Sequence, residues 1–73
     1  MGQDFCDLNW PAIVQEALRR RQAEKLSQRA LAAIAGVSHP TVVKFEKGDI
    51  TIKLRSAFAI LDALGMIERS AKQ

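Results

Sequence analysis

The chain has 73 residues, of which eleven are Lys or Arg and eight are Asp or Glu, so its formal net charge is +3. A domain of this length buries only about 60% of its unfolded surface and has little room for an enzyme cleft beside its core. The mild basic excess fits a polyanionic partner but does not demonstrate one. Tyr is absent and there are only three Phe and one Trp, which disfavours an aromatic platform for single-stranded nucleic acid.

Cys6 is the only cysteine, which excludes an internal disulfide and a cysteine-based zinc site and indicates a cytoplasmic protein. The N-terminus lacks the basic-then-apolar pattern of a secretory signal. No apolar run approaches the roughly 20 residues that span a bilayer, so we expect no membrane partner. Because the sequence shows no paired acids, metal cluster or nucleophile–base set, we expect neither an enzyme nor a cofactor.

The first predicted helix follows a flexible arm at residues 1–9. Asn9 is a suitable N-cap, and Pro11 in the first turn loses no hydrogen bond. The helix reads "PAIVQEALRRRQAEK". The positions that share its inner face at helical spacing are Ile13, Val14, Ala17, Leu18 and Arg21. A guanidinium on such a face needs a carboxylate partner.

Two short helices follow, with a sharp break between them. Ser27 caps "QRALAAIA", which ends at Gly36, a residue that readily takes the left-handed conformation of a helix end. Ser38 caps "HPTVVKFEK", where Pro40 is tolerated in the first turn, and Gly48 ends the helix.

The last predicted helix follows a loop at Asp49–Ile52 and runs to about Leu64, with Gly65 at its end. Its expected inner face is Leu54, Ala57, Phe58, Leu61 and Leu64. The sequence therefore predicts an all-α, compact bundle of four to five helices at residues 10–66, with a C-terminal tail at residues 67–73.

The two short helices match the requirements of a helix-turn-helix. A small residue is needed where they cross, a glycine in the turn, an apolar residue under the turn, and apolar residues on the inner face of the second helix. Six positions meet these needs: Leu31, Ala32, Gly36, Val37, Val42 and Phe45. The alternative is a generic helical hairpin in a small bundle.

If Val42 and Phe45 face inward, the opposite side of this helix faces a major groove, into which a recognition helix inserts its N-terminal residues. The candidate base contacts are His39, Pro40, Thr41 and Lys44. Thr41 can donate, accept or touch a thymine methyl, and Lys44 can reach guanine O6 and N7. Two alternatives stay open: Lys44 binds a phosphate, and His39 is only a solvated first-turn residue.

Phosphate contacts are expected at helix N-termini and at nearby cations. The candidates are Ser27, Gln28, Arg29, Ser38, Lys47 and Lys53. Arg19 and Arg20 are interpreted as solvated surface charges.

The stretch "LSQRALAAIAGVSHPTVVKFEKG", followed by "LRSAFAILDALGM", resembles the Cro/C1-type (XRE) helix-turn-helix domain, with a lambda-repressor-like fold. The resemblance implies that Gln28 binds a phosphate and orients a base-reading residue. It also implies a structural ion pair between Arg21 and Glu46. Two positions depart from the family: Lys25 stands where Gly is common, and Lys53 stands where Ser or Thr caps the last helix, so Thr51 is the candidate cap.

Within the family the chain is most similar to HipB-like antitoxins, through the segment after the recognition helix. The first functional hypothesis is a dimeric repressor that binds an inverted-repeat operator in its own promoter, located in the cytoplasm at the nucleoid. The alternative is an antitoxin that neutralises a HipA-like toxin by protein contact. The candidate dimer contacts are Ile60, Met66 and Ile67, which are equally compatible with the core or with a fraying tail.

Overall fold

The computed structural model describes residues 9–67, and within this range the chain forms four α-helices and no β-strand. They are α1 (Trp10–Ala23), α2 (Gln28–Ala35), α3 (His39–Glu46) and α4 (Leu54–Ala63). The all-α fold with four helices is therefore confirmed, and each predicted helix boundary lies within two residues of the observed one. The predicted arm, apart from Asn9, and the predicted tail, apart from Ile67, lie outside the described residues.

Three helices begin at the N-caps that the sequence predicts. The side chains of Asn9, Ser27 and Ser38 accept hydrogen bonds of 2.9 to 3.2 Å from backbone N–H groups three residues ahead. Each bond satisfies one of the donors that a helix N-terminus leaves free. These local contacts explain why the starts of α1, α2 and α3 were predictable.

The start of α4 differs from the prediction. Its N-cap is Lys53, whose side chain makes no capping hydrogen bond. Thr51, the expected cap, instead donates to Asp49 Oδ1 through its backbone N–H (2.8 Å) and its hydroxyl (2.6 Å). The expectation for Thr51 was wrong because its hydroxyl stabilises the turn before α4 rather than the helix itself.

The helix ends use left-handed residues. Gly36, Gly48 and Gly65 have φ values of +74°, +83° and +72° after α2, α3 and α4. After α1 this conformation is taken by Lys25, with φ +58°. A side chain in this region costs energy that glycine avoids, so the replacement of the family's common Gly by Lys25 adds strain to the α1–α2 turn.

The core lies between the four helices, where α4 packs mainly on α2 and α1 packs on α3. Its buried members are Val14, Ala17, Leu31, Ala32, Val42, Phe45, Ala57, Ile60, Leu61 and Leu64. No polar or charged residue within residues 9–67 is fully buried. The residues that the helix-turn-helix pattern assigned to the wedge between α2 and α3 are therefore in the core, with Val37 half-buried against it.

The observed inner face of α4 differs from the predicted one. Leu54 and Phe58 are 69% and 52% exposed, whereas Ile60 has no exposed surface. The helix is rotated so that Ala57, Ile60 and Leu61 face α2, since both sets of residues repeat with helical spacing and only packing selects between them. Ile60 therefore belongs to the core and is not a dimer contact.

Two side chains of α1 connect distant parts of the fold. The ring of Trp10 packs edge-on against Phe45 of α3, with 5.6 Å between ring centroids. Arg20 Nη1 donates to the carbonyl oxygens of Leu64 (3.1 Å) and Gly65 (3.0 Å) beyond the end of α4. Arg20 therefore links α1 to the end of α4 by hydrogen bonds and is not the solvated surface charge that we expected.

Candidate nucleic-acid interface

The α3 helix has one face in the core and one face in solvent. Val42 and Phe45 have no exposed surface. On the other side, Pro40 and Lys44 are exposed, while His39 and Thr41 are half-buried at the leading end. Since the buried pair fixes the rotation of the helix, the four candidate base contacts occupy the side and end of α3 that point away from the core.

The hydroxyl of Thr41 is already in a local hydrogen bond. Its Oγ1 lies 2.7 Å from Ser38 Oγ, and either oxygen can donate. Ser38 Oγ also accepts from the Thr41 backbone N–H at 3.2 Å. A hydroxyl has one donor and two acceptor sites, so Thr41 keeps two of these three sites for outside partners, and its rotamer is held by Ser38.

The ion pair between Arg21 and Glu46 is present and joins α1 to α3. Arg21 Nε lies 2.6 Å from Glu46 Oε2, and Nη2 lies 3.2 Å from Oε1. Only 13% and 8% of the two side chains are exposed. Arg21 Nη1 also donates to the Leu26 carbonyl oxygen at 2.7 Å, so the guanidinium on the apolar face of α1 has a partner on each side.

Gln28 is held by the same carboxylate. Its Nε2 donates to Glu46 Oε1 at 2.9 Å, which orients the amide at the first residue of α2. One hydrogen on Nε2 and the carbonyl Oε1 remain for other partners. The sequence did not predict this contact, because Gln28 and Glu46 lie 18 residues apart.

The cations separate into paired and unpaired groups. On α1, Arg19 and Arg20 both bind Glu16, at 2.8 and 2.7 Å. Hydrogen bonds from Arg19 and then Arg20 lower the pKa of Glu16 to about 2. A second group of cations lies on α2 and α3 or close to them along the chain. Within residues 9–67, no side-chain hydrogen bond or salt bridge is made by these residues, which are Arg29, Lys44, Lys47, Lys53 and Arg55.

Asp49 lies in the loop after α3 and interacts electrostatically with one cation of this group, Lys44. Its pKa is lowered first by the hydrogen bond from the Thr51 hydroxyl, then by the one from the Thr51 backbone, and to a smaller extent by the charge of Lys44. The Asp49 carboxylate therefore partly offsets the charge of Lys44, and its hydrogen bonds with Thr51 hold the turn after α3.

A polar recess of about 380 Å³ lies where the α2–α3 turn meets the start of α4. It brings together three candidate contacts, Ser38, Thr41 and Lys53, with two residues that sequence reasoning missed, Arg55 and Ser56. The missed signal was a second cation in the first turn of α4, two positions after Lys53. Arg29 and Lys47 do not line this recess.

The remaining dimer candidates, Met66 and Ile67, are half-buried and pack against the core.

Within residues 9–67 no helix combines the length and apolar character that a membrane span requires.

A short helix-turn-helix with a buried anchor, a solvent-facing recognition helix and unpaired cations around it defines a DNA-binding type of domain. The profile of the helix-turn-helix family matches residues 18–70. The chain therefore belongs to the Cro/C1-type helix-turn-helix family.

A similar curated protein is an uncharacterized HTH-type transcriptional regulator from Haemophilus influenzae, 32% identical over 54 residues. The match covers 74% of this chain and 55% of that protein, so this chain spans about half the length of the relative. These comparisons support the Cro/C1-type part of the resemblance and do not extend to HipB-like antitoxins.

Proposed function

We propose that this chain is a sequence-specific, double-stranded DNA-binding transcriptional regulator that inserts α3 into the major groove. The observation that carries the proposal is the zero exposure of Val42 and Phe45, which fixes the rotation of α3 and turns Pro40 and Lys44 outward. Membership of the helix-turn-helix family and the description of the similar Haemophilus influenzae protein support the same function.

The leading end and outer side of α3 supply the base readers. Lys44 donates to guanine O6 and N7, Thr41 donates or accepts at a base edge, and the ring of Pro40 gives apolar contact to a thymine methyl. His39, the first residue of α3, donates to a base acceptor or to a phosphate. The Ser38–Thr41 hydrogen bond keeps the Thr41 side chain in one orientation before DNA arrives.

The phosphate contacts surround α3. Ser27 and Gln28 offer the N-terminal end of α2, where backbone N–H groups favour an anion. Gln28 binds a phosphate through the hydrogen of Nε2 that Glu46 leaves free. The side chains that extend these contacts are Arg29, Ser38, Lys47 and Lys53, joined by Arg55 at the recess beside Ser38.

The regulator acts as a homodimer in this proposal. Two copies would read an inverted repeat whose half-sites lie about one helical turn apart, roughly 34–36 Å. A single module of this size makes few contacts, and pairing raises its effective concentration at the second half-site. The regulator represses its own promoter, because occupancy of an operator there excludes transcription.

The test is binding of the full chain to a fluorescent duplex that carries the gene's own upstream region, with a scrambled duplex as control, at two salt concentrations. We expect a preference for the upstream duplex that persists at the higher salt, since base contacts do not depend on counterion release. If the chain bound the upstream and scrambled duplexes equally, and if this binding were lost at the higher salt, the interface would be only a basic surface. That result would overturn the proposal.

A further inference from the structure

The hydrogen bond between Ser38 and Thr41 has a direction that the positions of the two oxygens leave open. Ser38 Oγ and Thr41 Oγ1 lie 2.7 Å apart, and either hydroxyl can be the donor. The direction matters because a hydroxyl has one hydrogen and two lone pairs. If Thr41 donates to Ser38, its oxygen faces outside partners as an acceptor only. If Thr41 accepts instead, it keeps its hydrogen for an outside acceptor.

Ser38 Oγ already has one fixed partner. It accepts from the Thr41 backbone N–H at 3.2 Å, which occupies one of its two lone pairs. When the second lone pair accepts the Thr41 hydroxyl, only the Ser38 hydrogen remains for an outside group. When Ser38 donates to Thr41, only a lone pair remains. An outside group beside Ser38 therefore selects between the two arrangements, according to whether it accepts or donates.

The surroundings of Ser38 favour an anion, which is an acceptor. Ser38 lines the polar recess of about 380 Å³ together with two exposed cations, Lys53 and Arg55. Neither cation makes a side-chain hydrogen bond or salt bridge within residues 9–67. None of the residues that line the recess is acidic. In the proposed complex this recess receives a DNA phosphate, whose oxygens only accept hydrogen bonds.

We propose that a phosphate in this recess sets the direction of the Ser38–Thr41 hydrogen bond and thereby the base chemistry that Thr41 reads. A phosphate oxygen takes the Ser38 hydrogen, so Ser38 no longer donates to Thr41, and the Thr41 hydroxyl donates to Ser38. Thr41 Oγ1 then meets the base edges with lone pairs alone. Ser38 is a positioning residue for Thr41. The inference rests on the proposed function, since it requires α3 in the major groove.

An acceptor in the major groove selects a hydrogen-bond donor. Each base pair offers one donor group there, adenine N6 or cytosine N4, whereas purine N7, guanine O6 and thymine O4 are acceptors. Thr41 therefore binds the exocyclic amino group of adenine or cytosine. Without a hydrogen to donate, it cannot compensate when an acceptor lies in that place.

The first part of the test compares the full-length wild type with Thr41→Val, which removes the hydroxyl and keeps a similar shape. Titration of the upstream duplex and its single base-pair replacements locates the base pair that matters to the wild type and not to Thr41→Val. At this pair, adenine is replaced by purine, or cytosine by 2-pyrimidinone, since both analogues lack the amino group. The wild type should lose about fivefold or more in affinity, and Thr41→Val less than about twofold.

Two substitutions separate the positioning role of Ser38 from its role as N-cap. Glycine is a tolerated N-cap, and Ser38→Gly leaves the Thr41 hydroxyl free to donate to a neighbouring acceptor when the amino group is absent. Its loss on the analogue should therefore be less than about twofold. Aspartate caps a helix and, when ionised, only accepts hydrogen bonds. Ser38→Asp should therefore bind DNA more weakly, because it repels the phosphate, and still lose about fivefold or more on the analogue.

Ser27→Gly is the matched control, because it removes the equivalent N-cap bond of α2 and leaves the Ser38–Thr41 pair intact. It should bind both duplexes more weakly and keep the loss that the wild type shows on the analogue. Circular dichroism melting of every variant establishes that each is folded.

Three results would overturn the inference while the proposed function stands. The wild type could be insensitive to removal of the amino group. It could instead be sensitive to 7-deazapurine at that pair where Thr41→Val is not, which would make Thr41 a donor to N7. Ser38→Gly could be as sensitive to the analogue as the wild type, which would leave Ser38 without a positioning role. A chain that binds the upstream and scrambled duplexes alike would refute the proposed function itself, and this inference with it.

Discussion

Nε2 of Gln28 donates a 2.9 Å hydrogen bond to Oε1 of Glu46, so the first residue of α2 is held by the last residue of α3. The same carboxylate receives Arg21 from α1. Three helices thus meet at one side chain. The orientation of a proposed phosphate contact and the stability of the fold therefore depend on the same group.

Glu46→Gln should lower the free energy of unfolding by about 2 kcal/mol, because it leaves the largely buried Arg21 guanidinium without a counter-charge. Urea unfolding followed by circular dichroism measures the change. Glu24→Gln, at an exposed position, is the control and should stay within about 0.5 kcal/mol of the wild type. If Glu46→Gln were as stable as the wild type, the Arg21–Glu46 pair would contribute nothing to the fold.

Lys44→Ala should weaken specific DNA binding and leave the melting temperature nearly unchanged, because Lys44 is exposed and its side chain makes no hydrogen bond or salt bridge within residues 9–67. Titration of the upstream duplex at several salt concentrations tells the two roles of Lys44 apart. If Lys44 binds a phosphate, its removal should reduce by about 1 the steepness with which the logarithm of the binding constant falls with the logarithm of salt concentration. If Lys44 reads a base, its removal should reduce the preference for the upstream duplex over the scrambled one. Arg19→Ala, which removes a cation already paired with Glu16, should not alter binding. Unchanged affinity in Lys44→Ala would remove Lys44 from the interface.

Arg20→Met should destabilise the protein by about 1–2 kcal/mol, because it removes charged donors from the carbonyl oxygens of Leu64 and Gly65. Arg19→Met is the matched control, since Arg19 binds the same Glu16 carboxylate but is 66% exposed and reaches no other helix. Its effect should be much smaller than that of Arg20→Met, because an exposed ion pair contributes little to stability. Equal losses in the two variants, measured by urea unfolding, would show that the contact between α1 and the end of α4 adds no stability.

Lys25→Gly should raise the free energy of unfolding by about 0.5–1 kcal/mol, because the left-handed backbone conformation of residue 25 is strained when the residue carries a side chain. Part of this gain is lost because glycine gives the unfolded chain more conformational freedom. Gly36→Ala is the reverse change at φ +74° and should cost about 1 kcal/mol. A Cβ at Gly36 would meet no atom within 4 Å, so this loss reports backbone conformation alone. A stability loss in Lys25→Gly would mean that the Lys25 side chain supplies a contact that outweighs its strain.

Acid should weaken the protein partly through Glu16. Its pKa is lowered from 4.5 to about 2 by hydrogen bonds from Arg19 and Arg20. A carboxylate with a depressed pKa stabilises the fold above its unfolded pKa, and the contribution is lost as pH falls from about 4.5 to 2. The difference in urea midpoint between the wild type and Glu16→Gln should therefore be largest near pH 6 and shrink toward pH 2. Because the site is exposed, 1 M salt should reduce the difference at pH 6. A difference that is independent of pH would assign the effect of Glu16 to packing.

The sequence by itself determined the features that depend on near neighbours. Asn9, Ser27 and Ser38 cap α1, α2 and α3 through bonds to residues three positions ahead, and a glycine follows the ends of α2, α3 and α4. The inward positions of Val42 and Phe45 also followed, because a short helix between two breaks has only one apolar face. The resemblance to Cro/C1-type domains added the Arg21–Glu46 pair, which joins residues 25 positions apart.

Tertiary packing decided the features that contacts between sequence neighbours cannot determine. Two helical faces of α4 have similar apolar spacing, and only contact with α2 buries Ile60 and leaves Leu54 and Phe58 exposed. Likewise, the partner of Arg20 lies 44 residues away, so no local pattern separates that arginine from Arg19. The physical reason is the same in both cases: helical periodicity limits the possible faces of an element, and the free energy of packing against the other helices selects one of them.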